Sequence, residues 1–138
     1  MREGIANLID AHDGGNAELL TFYLARMGMR AGDTDAVGEA ARRAGKIAET
    51  AIGDRFVATL ARWFSGIASA DAREVASAAE ALQSDGWRVL AADAFADAGL
   101  LAERQGLPEG REWSAAARER YATASAVPVL DVMRSRVP

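Results

Sequence analysis

Residues 71–106 read DAREVASAAEALQSDGWRVLAADAFADAGLLAERQG, and this stretch contains the start and stop signals of two consecutive helices. Asp71 and Glu74 have the spacing of a capping box, in which the aspartate is expected to accept a backbone N–H and the glutamate to reach back to the cap. Gly86 and Gly106 supply the left-handed conformation that commonly ends a helix. The pattern therefore predicts an antiparallel helical hairpin from Asp71 to Gly106.

A similar pattern occurs upstream, between Asp33 and Ser69. The segment Val37-Gly-Glu-Ala-Ala aligns with Val75-Ala-Ser-Ala-Ala, and Arg55-Phe-Val-Ala aligns with Arg88-Val-Leu-Ala. A repeated helical hairpin is typical of proteins in which each unit buries its apolar face against its neighbours. The sequence thus predicts a stack of such hairpins.

The strongest apolar stripe of the chain predicts one central helix. It combines Phe56, Leu60, Trp63 and Phe64 at the spacing of one helix face, and we expect these four side chains to be largely buried. The preceding helix, from about residue 35 to 50, instead has a face of small residues. Its two glycines each cost up to about 1 kcal/mol relative to alanine, so close helix–helix approach is expected at Gly38 and Gly45.

The predicted fold class is all-α, because no segment shows the period-two alternation of a half-buried strand. We expect one domain over residues 1–138, built as a right-handed, tetratricopeptide-like stack of antiparallel helical hairpins with about seven or eight helices. A short first helix is predicted near Arg2–His12. The hairpins are predicted near 16–50, 54–86 and 87–125, followed by a short C-terminal helix at 128–137, because Pro128 interrupts the helical pattern.

Composition excludes several classes of function. The chain has no cysteine, which removes disulfides, thiolate nucleophiles and thiolate metal ligands. Its net charge of −4 offers no basic field for nucleic acid. No apolar run approaches the roughly 20 residues of a membrane helix, and the N-terminus lacks the pattern of a signal peptide. We expect a cytoplasmic protein without a direct contact to nucleic acid or membrane.

Two groups of residues could carry chemistry, and each also has a structural interpretation. His12 lies between Asp10 and Asp13, but no further metal ligands converge on it in sequence. Asp93 and Asp97 lie one helical turn apart, a spacing that can hold a proton or a cation but that more often forms a solvated face. The sequence therefore predicts no catalytic, cofactor-binding or metal site, and the protein is not expected to be an enzyme.

The large aromatic residues give the candidate binding surfaces. One set is predicted to line an apolar pocket: Trp63, Phe64, Trp87 and Phe95. A second set lies on the C-terminal face, where no later hairpin caps the stack, and is predicted to form a partner or dimer surface: Trp113, Tyr121, Leu130 and Met133. An uncapped apolar end of a helical stack favours docking or self-association.

The segment from Asp71 to Ser125 resembles the C-terminal helical repeats of large actinobacterial LuxR-type regulators. The resemblance rests on Ala79-Glu-Ala-Leu, then Gly86, then Leu90-Ala-Ala-Asp-Ala-Phe-Ala-Asp-Ala. In that family a tetratricopeptide-like region precedes a DNA-binding helix-turn-helix. The chain departs from the family in two ways: it stops at Pro138, and it has no phosphate-binding loop of the form G-x-x-x-x-G-K-[ST].

Two functions follow as expectations. The first is a non-catalytic helical-repeat interaction or regulatory domain, in a transcriptional-regulator context, that binds a protein partner or a second copy of itself as a homodimer. The second is a helical small-ligand sensor with an apolar pocket. No cofactor is expected in either case.

Overall fold

The computed structural model describes the backbone of residues 15–51 and 53–136, and the side chains of residues 21–51 and 53–123. The described part contains six helices and no strand, which confirms the all-α prediction. The helices are α1 (Gly15–Ala31), α2 (Thr34–Thr50), α3 (Arg55–Ala68), α4 (Ala72–Ser84), α5 (Arg88–Arg104) and α6 (Gly110–Arg136).

Aspartate side chains cap the N-termini of three consecutive helices. Asp33 accepts a hydrogen bond from the backbone N–H of Ala36 at 3.0 Å at the start of α2. Asp54 caps α3 and Asp71 caps α4 in the same way. Each accepts a hydrogen bond at 3.1 Å from the backbone N–H of the residue three positions later. These bonds satisfy backbone donors that have no partner inside the helix, which fixes where each helix begins.

The turns that close the first two hairpins share one hydrogen-bond pattern. The N–H of Asp33 donates to the carbonyl of Gly28, and the N–H of Asp71 donates to the carbonyl of Gly66, both at 2.8 Å. This bond and a left-handed residue before each aspartate form a helix-ending motif. The left-handed residue is Gly32 in the first turn, with φ of 73°, and Ala70 in the second, with φ of 54°.

Gly28 and Gly66 lie at positions where a larger residue would not fit, because the next helix passes close to each of them. A Cβ atom at Gly28 would lie 3.0 Å from the Cβ of Ala36, and one at Gly66 would lie 2.8 Å from Cγ2 of Val75. The alignment of the segments that begin at Val37 and Val75 therefore corresponds to equivalent positions in two turns of the same geometry.

Each helix packs against the next one along the chain, and α3 also contacts α1 and α5. The predicted central position of α3 is confirmed by burial: Leu60, Trp63 and Phe64 are all within the core. Phe56 is only half-buried, contrary to expectation, because it lies in the first turn of α3 and stacks on the exposed ring of Trp87.

The C-terminal part of the chain differs from the prediction. A separate helix at 128–137 was expected, but α6 continues without a break from Gly110 to Arg136. A proline inside a helix removes one backbone hydrogen bond and can kink the helix without ending it, which accounts for the wrong boundary at Pro128. The predicted helix at Arg2–His12 lies outside the described residues, as do His12, Asp10 and Asp13.

The interpretation of Gly38 and Gly45 is wrong. A Cβ atom at either position would meet nothing within 4 Å, so neither glycine permits a close helix contact within the described part of the chain. Each simply increases the backbone freedom that α2 loses on folding.

Gly38→Ala and Gly45→Ala are therefore expected to raise the free energy of unfolding by about 0.5–1 kcal/mol each. Gly66→Ala is the matched control, and it should lower the stability because the added methyl group meets Val75 at 2.8 Å. Urea denaturation followed by circular dichroism measures all three. Loss of stability in both α2 variants would mean that these positions are covered in solution.

Candidate functional site

The most unusual polar group in the described part is a carboxylate inside the helical core. Asp97, on α5, is 1% exposed. Arg26, on α1, donates to both of its oxygens: Nε donates to Oδ2 at 3.1 Å and to Oδ1 at 3.3 Å, and Nη2 donates to Oδ1 at 3.1 Å. The indole Nε1 of Trp63, on α3, donates to Oδ2 at 3.0 Å. Three helices are thus joined through one side chain, since a buried charge needs charged and hydrogen-bonding partners.

A second carboxylate one turn earlier on α5 extends this network to α6. Nη1 of Arg26 lies 3.1 Å from Oδ1 of Asp93, and the hydroxyl of Tyr121 donates to the same oxygen. The ring of Phe22 lies under the guanidinium, with Cζ of Arg26 at 5.6 Å from its centroid. We call Arg26, Trp63, Asp93, Asp97 and Tyr121 the core polar network.

Burial controls the ionisation of this network. It raises the pKa of Asp97, because removal from water penalises the charged carboxylate, and the donors Arg26 and Trp63 oppose the shift only in part. Burial alone would lower the pKa of Arg26, but the attraction of Asp97 and then Asp93 raises it, so the guanidinium stays protonated. Burial and the hydrogen bond to Asp93 raise the pKa of Tyr121 to about 12.

The geometry of the core polar network favours a structural role. Both oxygens of Asp97 accept hydrogen bonds from Arg26, and one also accepts from Trp63. A carboxylate in this state cannot receive a proton from a ligand without first breaking its ion pair. The solvated face expected for the pair Asp93 and Asp97 is therefore wrong, because the residue that the pair faces is Arg26 and not water.

A cavity that is open to solvent lies where α1, α3 and α5 end. Its volume is about 190 Å³. Its walls include the side chains of Met29, Val37, Ile67 and Leu101, and Arg104 also borders it. Nη1 of Arg104 donates to the carbonyl of Met29 at 3.3 Å, which ties the end of α5 to the end of α1.

An exposed apolar patch lies at the N-terminal ends of α3 and α5, away from the cavity at their C-terminal ends. Trp87 precedes α5 and is 46% exposed, and Val89 in its first turn is 54% exposed. The ring of Trp87 stacks on that of Phe56 with centroids 4.5 Å apart and an angle of 33°. We call Phe56, Trp87 and Val89 the N-terminal patch. Large rings in such a position are typical of contact surfaces between proteins.

The four residues of the predicted pocket do not share one environment. Trp63 and Phe64 are adjacent in the core, with ring centroids 5.5 Å apart. Trp87 stacks instead on Phe56 at the surface. Phe95 is buried beneath the guanidinium of Arg120, whose Cζ lies 4.5 Å from the ring centroid.

The predicted C-terminal surface is also different from the expectation. Trp113 and Tyr121 are half-buried because they pack against the core from α6, and Tyr121 belongs to the core polar network. The side chains of Leu130 and Met133 lie outside the described ones. Arg26 was not among the candidate residues predicted from the sequence, although it is the cation of the core polar network. The sequence feature that could have indicated Arg26 is its position as the single charged residue in the apolar run from Leu24 to Met29.

Comparisons with known proteins add no assignment. No protein-family model matches the chain, and neither the curated proteins nor the solved structures contain a match to it. Across the described residues, no three or more His, Asp or Glu side chains are placed to hold a metal ion. No helix in that part of the chain is both long and apolar enough to cross a bilayer.

Proposed function

We propose that this chain is a non-catalytic helical-repeat interaction domain. The observation that carries the proposal is the N-terminal patch. Its apolar residues Trp87 and Val89 are about half exposed to solvent. Leaving a tryptophan in water forgoes a large part of its burial energy. A partner that covers the patch would recover that energy, as aromatic residues at protein interfaces do.

The arrangement of helices supports a repeat. The first two hairpin turns share their hydrogen bonds and the position of the left-handed residue, and α1, α3 and α5 occupy the same position in successive hairpins. Stacked hairpins of this kind present extended surfaces to partners. Together with the resemblance to the helical region of LuxR-type regulators, this arrangement supports a tetratricopeptide-like stack in a transcriptional-regulator context, in which the partner is another protein or a second copy of this chain.

Self-association is the form of this proposal that can be tested without knowledge of a partner. The parent protein is expected to form a homodimer in a concentration series followed by light scattering, and Trp87→Ala should raise the dissociation constant about tenfold or more, the effect of a typical interface hot spot. Tyr23→Ala is the matched control, because it removes another half-exposed ring, from α1, and should leave the dimer intact.

A protein that stays monomeric at all concentrations, with a radius of gyration of about 14 Å, would contradict the homodimer. The cavity at the ends of α1, α3 and α5 then favours the second candidate, a small-ligand sensor. Its volume of about 190 Å³ is of the same order as the roughly 150 Å³ of an enclosed apolar cavity that takes up benzene, but this cavity is open to solvent. Stabilisation of the monomer by a small apolar compound, abolished by Leu101→Trp, would support that function.

A further inference from the structure

A polar cleft lies between helix α6 and the turn that joins the end of α4 to the start of α5. Five residues line it: Gln83, Arg88, Glu119, Arg120 and Thr123. The cleft has a volume of about 420 Å³, within the range of sites that hold a ligand or an anchoring side chain. Arg88, which lines the cleft, lies between Trp87 and Val89 of the N-terminal patch in the sequence.

Arg120 is held in a fixed position within this cleft. Its guanidinium lies over the ring of Phe95, with Cζ at 4.5 Å from the centroid. Nε donates to Oε1 of Gln83 at 3.0 Å, and Nη1 donates to the carbonyl of Ala116 at 3.2 Å. Its partners are thus an aromatic face and two neutral oxygens, and Nη2 has no acceptor among the described residues. An arginine oriented in advance loses little conformational entropy when it binds an anion.

Arg88 provides the second guanidinium. It is exposed and forms no ion pair or hydrogen bond with the described part of the chain. Several other arginines do pair with carboxylates: Arg26 with Asp97, Arg55 with Asp85, Arg62 with Glu74 and Arg73 with Glu109. The cleft therefore combines two arginines whose positive charges are not matched by an ion pair with a described carboxylate.

We propose that this cleft binds the carboxylate of an acidic side chain on a protein partner. Two guanidinium groups and the carboxylate of Glu119 give the lining a net charge of +1, which matches a single carboxylate better than a doubly charged phosphate. Nη2 of Arg120 and the guanidinium of Arg88 can each donate a charge-assisted hydrogen bond to the carboxylate. The proposal rests on the interaction function above and names its partner chemistry: an acidic residue that enters the cleft, next to an apolar residue that covers Trp87.

The test uses the full chain, labelled with ¹⁵N, and three probes. These are a blocked pentapeptide with one glutamate between two leucines, its glutamine counterpart, and inorganic phosphate. The glutamate peptide is expected to shift the Nε–H signals of Arg88 and Arg120 and the indole signal of Trp87. It should bind about tenfold more tightly than the glutamine peptide, the effect of one charge-assisted hydrogen bond, and more tightly than phosphate.

Variants assign the effect to the cleft. Arg88→Ala should weaken binding of the glutamate peptide several-fold and cannot act through lost packing, because this side chain is exposed. Arg120→Lys should also weaken it, since lysine keeps the charge but lacks the planar guanidinium that Gln83 and Ala116 hold in place. Arg118→Ala, an exposed arginine on the same helix outside the cleft, is the control and should change nothing.

Three results would overturn the carboxylate site. Equal binding of both peptides, with a shift at Trp87 alone, would leave the interaction surface standing without the anion site. Tighter binding of phosphate than of the glutamate peptide would show that the site prefers a different class of anion. Absence of any arginine shift at about 10 mM peptide would mean a dissociation constant well above this concentration, and this result would also exclude the site. The light-scattering result would stand independently.

Discussion

Trp63→Ala is expected to lower the free energy of unfolding by about 3–5 kcal/mol, the range for a large aromatic removed from a core. The side chain is 0% exposed. Its ring meets that of Phe22 edge to face at 5.3 Å and that of Phe64 at 5.5 Å. The substitution also removes a hydrogen bond to Asp97. A loss of this size is a large fraction of the stability of a typical domain, and urea denaturation measures it.

Two other variants separate volume from hydrogen bonding. Trp63→Phe keeps most of the ring but leaves Asp97 without its indole donor, so a loss of about 1–3 kcal/mol is expected. Trp87→Ala, at a ring that is 46% exposed, should lower the stability of the monomer by a smaller amount than Trp63→Ala. If Trp63→Ala stays within about 0.5 kcal/mol of the parent, the assignment of α3 to the centre of the fold is wrong.

The burial of α3 could be predicted from sequence because it depends on local periodicity. Leu60, Trp63 and Phe64 recur at helical spacing between two clear turn signals, and a stripe of this width must face a core. The cap at Asp71 was predictable for the same reason, since a cap bonds to the third residue after it. The other half of the predicted capping box is wrong, because the Glu74 carboxylate pairs with Arg62.

The core polar network could not be predicted in the same way. Asp97 and Arg26 are separated by 71 positions in the chain, and a single sequence gives no measure of which distant residues meet. An aspartate on an alanine-rich helix has the pattern of a solvent-facing residue unless its partner is known. The same limit explains Gly38 and Gly45: a glycine indicates backbone freedom, but only the position of the neighbouring helix shows whether that freedom is used.

Arg26→Met is expected to lower the free energy of unfolding by about 3–5 kcal/mol near neutral pH, because it leaves Asp97 buried without its cation. The methionine keeps much of the apolar stem of the arginine, so the loss reports mainly the missing charge. Arg118→Met is the control, since Arg118 is exposed on α6 and is not among the charges that act on Asp97, and it should have an effect within about 0.5 kcal/mol.

The loss caused by Arg26→Met should depend on pH in a defined direction. Burial raises the pKa of Asp97 above its ordinary value of 3.8, so the folded state holds this proton more tightly than the unfolded chain. The resulting stability is complete below the unfolded pKa and is lost as the pH rises through the folded pKa. Without the guanidinium the folded pKa of Asp97 rises further, and the destabilisation should therefore shrink between about pH 7 and about pH 4.

The double variant Arg26→Met/Asp97→Asn is expected to recover about 2 kcal/mol relative to Arg26→Met alone at neutral pH, a coupling typical of residues in direct contact. Asparagine removes the buried charge and keeps an oxygen that can accept from the Trp63 indole. The added pH dependence should disappear with the carboxylate. If the double variant is less stable than Arg26→Met, then Asp97 stabilises the fold through neighbours other than Arg26, and the ion pair is not what joins α1 to α5.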